Sequence, residues 1–293
     1  MDKAWPLASI VAAGLLLGPF PACAQRAASA AIPGYTMPST HMWDMTSDAG
    51  EVYRILVSYP AAEAPANGFP VLYVLDGNAM FAAFAEARRM QERSDIGKSI
   101  VVGVGYPTDR TYDTRRLNDY TPPLLDPPPA AWRRLAQYRS GGQDVFLAFL
   151  TGRLRTELAR RYRINPERQS LFGHSLGGLF ALHALYTRPQ AFYSIVAASP
   201  SLGWNDQGSL AAERVFADSL AGGKVGRTSR LMVVVGDRDT DDEPAPAEAF
   251  VRRMERLSGY GLRTRFLRYE GEGHMTVPVR AVSDTLRFVS EGY

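Results

Sequence analysis

A serine stands between two glycines in the segment Gly173-His174-Ser175-Leu176-Gly177, where the hydropathy pattern changes from strand to helix. A short apolar run precedes the segment and a helix-compatible apolar run follows it. This is the nucleophile-elbow pattern Gly-x-Ser-x-Gly, in which the serine takes a strained backbone conformation in a very tight turn. Side chains beside it would collide, which is why glycines flank it. The segment predicts a nucleophilic serine on a strand–turn–helix unit.

Strand-like and helix-like segments alternate along the chain. Such alternation predicts an α/β fold with a mostly parallel central sheet and helices on both faces. The Pro-rich segment 120–132 is expected to be a loop inside this domain, because strand-like segments continue on both sides of it. The predicted strands are 52–60, 69–77, 99–107, 170–173, 193–200, 230–237 and 263–271, and the predicted helices are 79–94, 141–162, 176–189, 248–261 and 280–293.

Four polar segments follow predicted strands directly. Parallel sheets of this kind bind ligands at the carboxyl ends of their strands. We therefore expect the four segments to meet at one edge of the sheet. They are Leu-Asp-Gly-Asn (75–78), Phe-Gly-His-Ser-Leu-Gly-Gly (172–178), Val-Gly-Asp-Arg-Asp (235–239) and Glu-Gly-Glu-Gly-His-Met (270–275).

A serine hydroxyl needs a general base to act as a nucleophile at neutral pH, and the chain has four histidines. His274 lies in a Gly-rich loop after the last predicted strand and is the expected base. His174 adjoins the nucleophile and is expected to line the pocket. His41, near the first strand region, and His183, on the helix that follows the elbow, are expected to be structural.

The acid that orients the base is expected in the loop after the strand 230–236. Asp239 is the first choice and Asp242 the second, in a loop that also contains Asp237, Asp241 and Glu243. The resulting chain order, serine, aspartate, histidine, is the order found in α/β-hydrolases. The oxyanion of the transition state needs backbone N–H donors. The expected donors are Leu176 and either Asn78 or Gly77.

The N-terminus has the pattern of a secretory signal peptide. An apolar stretch of signal-peptide length (7–20) precedes Ala22-Cys23-Ala24, which fits cleavage between small residues. We expect a signal peptide at 1–24, a single catalytic domain at 25–293 and a periplasmic location. A lipoprotein attached through Cys23 is the alternative. Cleavage after Ala24 would remove the single cysteine of the chain, which excludes thiol catalysis, disulfides and thiolate metal sites.

The composition of the chain argues against several classes of binding partner. The net charge of +3 is small and the sequence has no basic run, which argues against nucleic acid as a partner. No further run of eighteen apolar residues predicts a membrane span. No cluster of histidines and carboxylates has metal-ligand spacing, so neither a metal site nor a cofactor is expected. A monomer that binds a small-molecule ester is the expected state.

These motifs together resemble the putative-esterase group of α/β-hydrolases, and within it the siderophore esterases that open tri-catecholate trilactones such as enterobactin and salmochelin. The resemblance covers nearly the whole mature chain and implies an α/β-hydrolase fold without a separate lid domain. It implies that Arg116 helps to hold an anionic catecholate and that Trp204 forms an aromatic wall of the pocket. The matching segments are 71–81, 101–107, 115–123, 141–150, 172–185, 199–205 and 271–278.

Two departures from that group leave alternatives open. The group often has Glu where Asp239 stands, and some members are thought to use a Ser-His dyad. It also has two adjacent Trp residues where this chain has Trp204 alone. We expect a periplasmic serine esterase that hydrolyses ferric or iron-free catecholate siderophores to release iron. The alternatives are an esterase of feruloyl or acetyl carbohydrate esters, an acyltransferase, or a siderophore-binding protein that does not cleave.

Overall fold

The computed structural model describes residues 35–240 and 244–291. The chain divides into two units, Met1–Met37, of which residues 35–37 are described, and Pro38–Tyr293. The predicted signal peptide (1–24), Cys23 and the alternative acids Asp241, Asp242 and Glu243 lie outside the described residues. The predictions about them, including the domain limits 25–293, stay predictions.

The described residues form one eight-stranded sheet with the order β1-β2-β4-β3-β5-β6-β7-β8. Strands β3 to β8 are mutually parallel, while β2 runs antiparallel to both β1 and β4. The strands are β1 Thr40–Thr46, β2 Val52–Ser58, β3 Phe69–Leu75, β4 Ile100–Gly105, β5 Ile164–His174, β6 Ser194–Ala198, β7 Arg230–Gly236 and β8 Thr264–Tyr269.

Helices cover both faces of the sheet. Helix α1 contacts α8, and α5 contacts both α2 and α6. A turn of π-helix at Leu150–Leu154 joins α3 to α4. The helices are α1 Gly77–Met90, α2 Arg116–Tyr120, α3 Gln143–Phe149, α4 Arg155–Arg161, α5 Leu176–Thr187, α6 Leu210–Ala221, α7 Pro244–Glu255 and α8 Val277–Ser290, with short 3-10 turns at Ala130–Leu135 and Ser258–Tyr260.

The continuous apolar runs of the sequence form the centre of the sheet. Every residue of β3, β4 and β6 is buried, as expected for strands covered by helices on both faces. Strands β3, β5 and β7 end within three of the four polar segments singled out in the sequence, and β8 ends immediately before the fourth. Because these strands are parallel, the four segments lie at one edge of the sheet. The chain has the predicted α/β-hydrolase fold.

Strand β1, helices α2 and α6 and the 3-10 turn at Ala130–Leu135 were not predicted. Strand β1 is an exposed edge strand that pairs with β2 alone, so its sequence lacks a regular apolar alternation. Helix α6 buries only Glu213, Phe216 and Leu220, which gives a weak apolar periodicity. In both cases partners elsewhere in the fold, rather than local sequence, determine the conformation. Within the described ranges, no helix is long and apolar enough to cross a membrane.

Candidate active site

The turn from β5 into α5 holds Ser175 in a backbone conformation that few residues adopt. Its φ is 60° and its ψ is −122°, a strained combination for a residue with a Cβ atom. Its N–H donates to the carbonyl of Ala198 on β6 (2.9 Å), and its own carbonyl accepts from Leu179 (3.0 Å). The turn is therefore fixed both by the neighbouring strand and by the first turn of α5.

The glycines around the serine differ in how much space they have. A Cβ atom on Gly173 would overlap the carbonyl of Gly177, and one on Gly178 would lie 3.0 Å from Pro200 Cα. Gly173 is therefore required sterically, as the sequence predicted, whereas an alanine at Gly178 would need its neighbours to shift by a few tenths of an ångström. A Cβ atom on Gly177 would have no neighbour closer than 3.6 Å. The expectation that side chains would collide on both sides of the serine is therefore wrong for Gly177.

His274, in the loop after β8, is bonded to the acid predicted for it. Its Nδ1 lies 3.1 Å from each carboxylate oxygen of Asp239, in the loop after β7. Both side chains are largely buried. An ionised carboxylate accepts hydrogen bonds but does not donate them. In a neutral His274 the single ring proton is therefore on Nδ1, and Nε2 is unprotonated. This tautomer is the one in which Nε2 can take a proton from a hydroxyl group.

The other described acid of that loop has a different partner. Asp237 Oδ1 accepts the backbone N–H of Gly271 at 2.8 Å, which ties the β7 loop to the turn after β8. Asp237 thus positions the loop that carries His274, whereas Asp239 bonds its ring.

His174 packs against the predicted base. The two imidazole rings lie 4.6 Å apart between centroids, and His174 Nε2 donates to the backbone carbonyl of His274 at 2.8 Å. Burial, and after it the charges of His274 and Arg116, lower the pKa of His174 to about 3. His174 is only 4% exposed. Its observed position is behind the His274 loop, rather than in an open pocket wall as expected.

The two predicted sources of oxyanion donors are the starts of two helices. The first N–H groups of a helix have no acceptor within it, which applies to Gly77 and Asn78 at the start of α1 and to Leu176 at the start of α5. Both helices begin after a residue with positive φ, 51° at Asp76 and 60° at Ser175. The two turns are close, because a Cβ atom on Gly177 would lie 3.6 Å from Asp76 Oδ2.

The side chain of Asn78 is fully used in local structure. Its Nδ2 donates to the carbonyls of Tyr106 (3.0 Å) and Thr108 (2.8 Å). Its Oδ1 accepts the N–H of Tyr106 at 2.8 Å. The contribution that Asn78 can make to an oxyanion site is therefore that of its backbone N–H.

Arg116 lies under the elbow and not in an open pocket. Its Nε and Nη2 donate to the two carboxylate oxygens of Asp76 at 2.8 and 2.9 Å. Its Nη2 also contacts the carbonyl of His174 at 3.4 Å. Burial works to lower the pKa of Arg116, but the Asp76 carboxylate outweighs it and raises the pKa above its usual value. The expected contact with an anionic catecholate is not favoured by this geometry.

Trp204 is also buried, at 2% exposure. Its ring packs against Trp132 with 4.8 Å between centroids, and Trp132 Nε1 donates to the carbonyl of Gly203 at 3.0 Å. Trp132 comes from the Pro-rich loop and is the more exposed of the pair. Trp204 therefore packs beneath this loop instead of forming an open wall.

Ser201, in the loop after β6, was not predicted. Its Oγ lies 3.4 Å from the Oγ of Ser175, and its N–H donates to the carbonyl of Ser175 at 3.2 Å. The rule that selected the other loops, a polar residue just beyond the end of a parallel strand, would also have selected this one. Ser201 is a hydroxyl group beside the proposed nucleophile.

Among the described residues, no group of three histidine, cysteine, aspartate or glutamate side chains could hold a metal ion. The chemistry available at this edge is that of a serine, an imidazole, a carboxylate and backbone N–H groups.

Comparison with known proteins gives a family. A family model described as Putative esterase matches residues 34–274. Ferri-bacillibactin esterase BesA of Bacillus subtilis is 33% identical over 265 residues, which are 87% of this chain and 90% of BesA. Siderophore triacetylfusarinine C esterase of Aspergillus fumigatus is 36% identical over 192 residues, 62% of this chain and 63% of the relative.

A solved structure agrees with the fold over nearly the same length. The BES protein from Bacillus cereus superposes with a TM-score of 0.80 at 31% identity, covering 89% of this chain and 98% of the other. The residues matched by the family model include Ser175, Asp239 and His274.

Proposed function

The chain belongs to the Putative esterase family, and on that premise we propose that Ser175, His274 and Asp239 are its catalytic triad. The observation that carries the proposal is the contact in which His274 Nδ1 donates to the two carboxylate oxygens of Asp239, beside a serine held in elbow geometry. A buried carboxylate on Nδ1 holds the imidazole in the correct tautomer and stabilises its protonated form.

In the proposed reaction Ser175 Oγ attacks the ester carbonyl carbon while His274 Nε2 takes its proton. The oxyanion accepts hydrogen bonds from the N–H of Leu176 and from that of Asn78 or Gly77. His274 then gives its proton to the leaving alcohol, and a water molecule repeats the sequence on the acyl-enzyme. Ser201 Oγ is within hydrogen-bond reach of Ser175 Oγ, and it orients the hydroxyl of Ser175 before attack.

The proposed substrate is a catecholate siderophore trilactone of the enterobactin type, either ferric or iron-free, whose hydrolysis releases iron. The names of both relatives, a ferri-bacillibactin esterase and a triacetylfusarinine C esterase, support a siderophore ester. The loops after α2 and β8 expose apolar side chains that suit aromatic rings, Leu125, Tyr138 and Met275. The exposed Arg139, which pairs with Glu51 at 3.5 Å, is a cation that suits anionic ones.

We place the reaction in the periplasm, in a monomer released by cleavage after Ala24. The support is the signal-peptide pattern of 1–24. N-terminal sequencing of the protein secreted by a Gram-negative host tests the cleavage site, and a lipid-modified Cys23 in its place would contradict it.

Product analysis by chromatography and mass spectrometry tests activity and substrate together. The mature protein and Ser175→Ala are incubated with ferric and iron-free enterobactin, bacillibactin, triacetylfusarinine C and p-nitrophenyl acetate. His41→Gln is the matched control. His41 lies at the start of the edge strand β1, where it hydrogen-bonds the hydroxyl of Tyr162, and it is not one of the proposed site residues. We expect dihydroxybenzoyl-serine products from enterobactin with the wild type and the control, and none with Ser175→Ala.

Each other outcome contradicts a definite part of the proposal. Cleavage of p-nitrophenyl acetate alone would contradict the siderophore substrate and favour another extracytoplasmic ester. Acyl transfer to an added alcohol in preference to water would favour an acyltransferase. Tight siderophore binding without turnover would favour a binding protein, and activity retained in Ser175→Ala would contradict the nucleophile.

A further inference from the structure

The proposed oxyanion site is divided between two separate helix starts. One donor, the N–H of Leu176, follows Ser175 at the end of β5, and the other, at Gly77 or Asn78, follows Asp76 at the end of β3. Strands β3 and β5 are neighbours in the sheet, but each turn contains a residue with positive φ. Two donors stabilise one oxygen only when both are held in fixed positions. Something must therefore keep the two turns in register.

Arg116 contacts both turns. Its guanidinium makes a bidentate pair with Asp76, at 2.8 and 2.9 Å, and reaches the carbonyl of His174 at 3.4 Å. The carbonyl belongs to the residue before the proposed nucleophile, and the carboxylate belongs to the residue before Gly77. A planar guanidinium fits such a two-sided contact, whereas an ammonium group does not.

A second side chain from the same short helix reinforces the pair. The hydroxyl of Tyr120 accepts the backbone N–H of Asp76 at 3.1 Å, and the Arg116 guanidinium lies 5.4 Å from the centroid of the Tyr120 ring. Helix α2 thus holds Asp76 by its carboxylate and by its backbone. Asp76 is 3% exposed and the Arg116 side chain 14%, so most of the ion pair is enclosed by protein.

We propose that Arg116 is a positioning residue that, through Asp76, holds the two halves of the oxyanion site in register, and that it is not the cation that binds an anionic substrate. The proposal rests on the proposed function, because it assigns the oxyanion donors to these two turns. It predicts a loss in the rate of the chemical step for every ester, charged or neutral, since the oxyanion forms with all of them.

The test compares Arg116→Gln, Arg116→Lys and Asp76→Asn on p-nitrophenyl acetate and on enterobactin. Arg115→Gln is the matched control, because the neighbouring Arg115 binds Asp113 and the carbonyl of Val52. We expect kcat of Arg116→Gln to fall by about 10²–10³ on both esters, with KM changed less than about threefold. Lysine should not restore kcat, and the affinity for a boronic acid that mimics the tetrahedral intermediate should fall in parallel.

The double variant Asp76→Asn/Arg116→Gln separates positioning from folding. Removing both charges leaves neither of them buried without a partner, so the thermal stability lost in the single variants should return while kcat stays low. Recovery of kcat together with stability would contradict the positioning role. A loss confined to KM for enterobactin, with p-nitrophenyl acetate unaffected, would show that Arg116 is a substrate cation after all.

The failure of the proposed function has a different signature. If Ser175→Ala remains as active as the wild type, or if a fluorophosphonate does not label Ser175 in the wild type, the assigned site is wrong and the positioning role falls with it. A different result would overturn the positioning role alone. In that case the fluorophosphonate labels both the wild type and Arg116→Gln, and the two proteins hydrolyse the esters equally fast.

Discussion

Asn78 and the backbone of Tyr106 hydrogen-bond each other in both directions. Asn78 Oδ1 accepts the N–H of Tyr106 and Asn78 Nδ2 donates to its carbonyl, at 2.8 and 3.0 Å. This closed pair attaches the start of α1 to the end of β4. The side chain of Asn78 thus fixes the position of its own backbone N–H, which is a proposed oxyanion donor.

Loss of this pair is expected to slow ester cleavage. Asn78→Ala should lower kcat on p-nitrophenyl acetate by about tenfold or more, because one oxyanion donor loses its support. Gly105→Ala should have the same effect, since a Cβ atom there would overlap Asn78 Oδ1. Asn165→Ala is the control, because Asn165 caps a turn at the opposite end of β5. Equal kcat in all three variants would contradict the assignment.

The two glycines next to the nucleophile should respond differently to alanine. Gly173→Ala should abolish activity or prevent folding, because the new methyl group would overlap the carbonyl of Gly177. Gly177→Ala should fold and keep its melting temperature within a few degrees, since its nearest neighbours would be 3.6 Å away. The pair is measured by thermal unfolding and by p-nitrophenyl acetate hydrolysis. A loss of stability in Gly177→Ala as large as in Gly173→Ala would disprove the steric account.

Two aspartates of one loop should separate catalysis from loop geometry. Asp239→Asn should lower kcat by about 10²–10⁴, because an amide allows the wrong imidazole tautomer. Asp237→Asn should stay within about tenfold of the wild type, since an amide oxygen can still accept the N–H of Gly271. A wild-type rate in Asp239→Asn would indicate a Ser-His dyad, the alternative that the family resemblance left open.

The buried His174 should make the protein less stable in acid. Its pKa of about 3 in the folded state is far below the usual value of about 6.5 in an unfolded chain. The unfolded state therefore binds more protons between these values, and the free energy of unfolding falls as the pH falls from about 6.5 towards 3. Above pH 7 both states are neutral and the effect vanishes.

His174→Gln isolates this contribution, because the glutamine amide can donate to the carbonyl of His274 without titrating. Between pH 7 and pH 5, the wild type should lose about 2 kcal/mol more unfolding free energy than the variant. Urea unfolding at the two pH values measures the difference. His183, whose pKa burial also lowers, is present in both proteins and cancels. An identical pH dependence would contradict a neutral His174.

Asn205 should matter for the attachment of the Pro-rich loop. Its side chain donates to the carbonyl of Pro123 at 2.8 Å and accepts the N–H of Leu125 at 3.2 Å, while its own φ is 52°. Asn205→Ala loses both bonds and is strained, and should lower the free energy of unfolding by about 2 kcal/mol. Asn205→Gly loses only the bonds and should fall between alanine and wild type. Residues 121–142, between α2 and α3, include most of the Pro-rich segment. Limited proteolysis should cut them faster in both variants, and equal cutting rates would refute the attachment.

The sequence alone was sufficient for the parts that depend on local pattern. The alternation of strands and helices, the strained serine and the meeting of four loops at one edge follow from periodicity and from the geometry of parallel sheets. Side-chain partners distant in the sequence did not follow. The family resemblance implied a ligand contact for Arg116, and nothing in the sequence around it indicates that a carboxylate forty positions earlier, at Asp76, binds its guanidinium.

Burial was the other quantity that the sequence could not supply. The family resemblance implied that Trp204 is a pocket wall, but Trp204 is buried against Trp132. Ser201 was not predicted, although its position after β6 puts its hydroxyl beside Ser175. In each case the decisive contact is made by a loop from a different part of the chain.

The loop 121–142, between α2 and α3, contributes no strand to the sheet. It contacts the loop after β6 through the bond of Trp132 to Gly203 and the bond of Asn205 to Pro123. The residues proposed to break the ester bond are attached instead to β3, β5, β7 and β8. This loop and the residues proposed to break the ester bond are thus encoded in separable stretches of the chain. Mutations in this loop would therefore change which substrates such an enzyme accepts without changing the residues that perform its reaction. Exchanging the loop between relatives is the corresponding experiment in protein engineering.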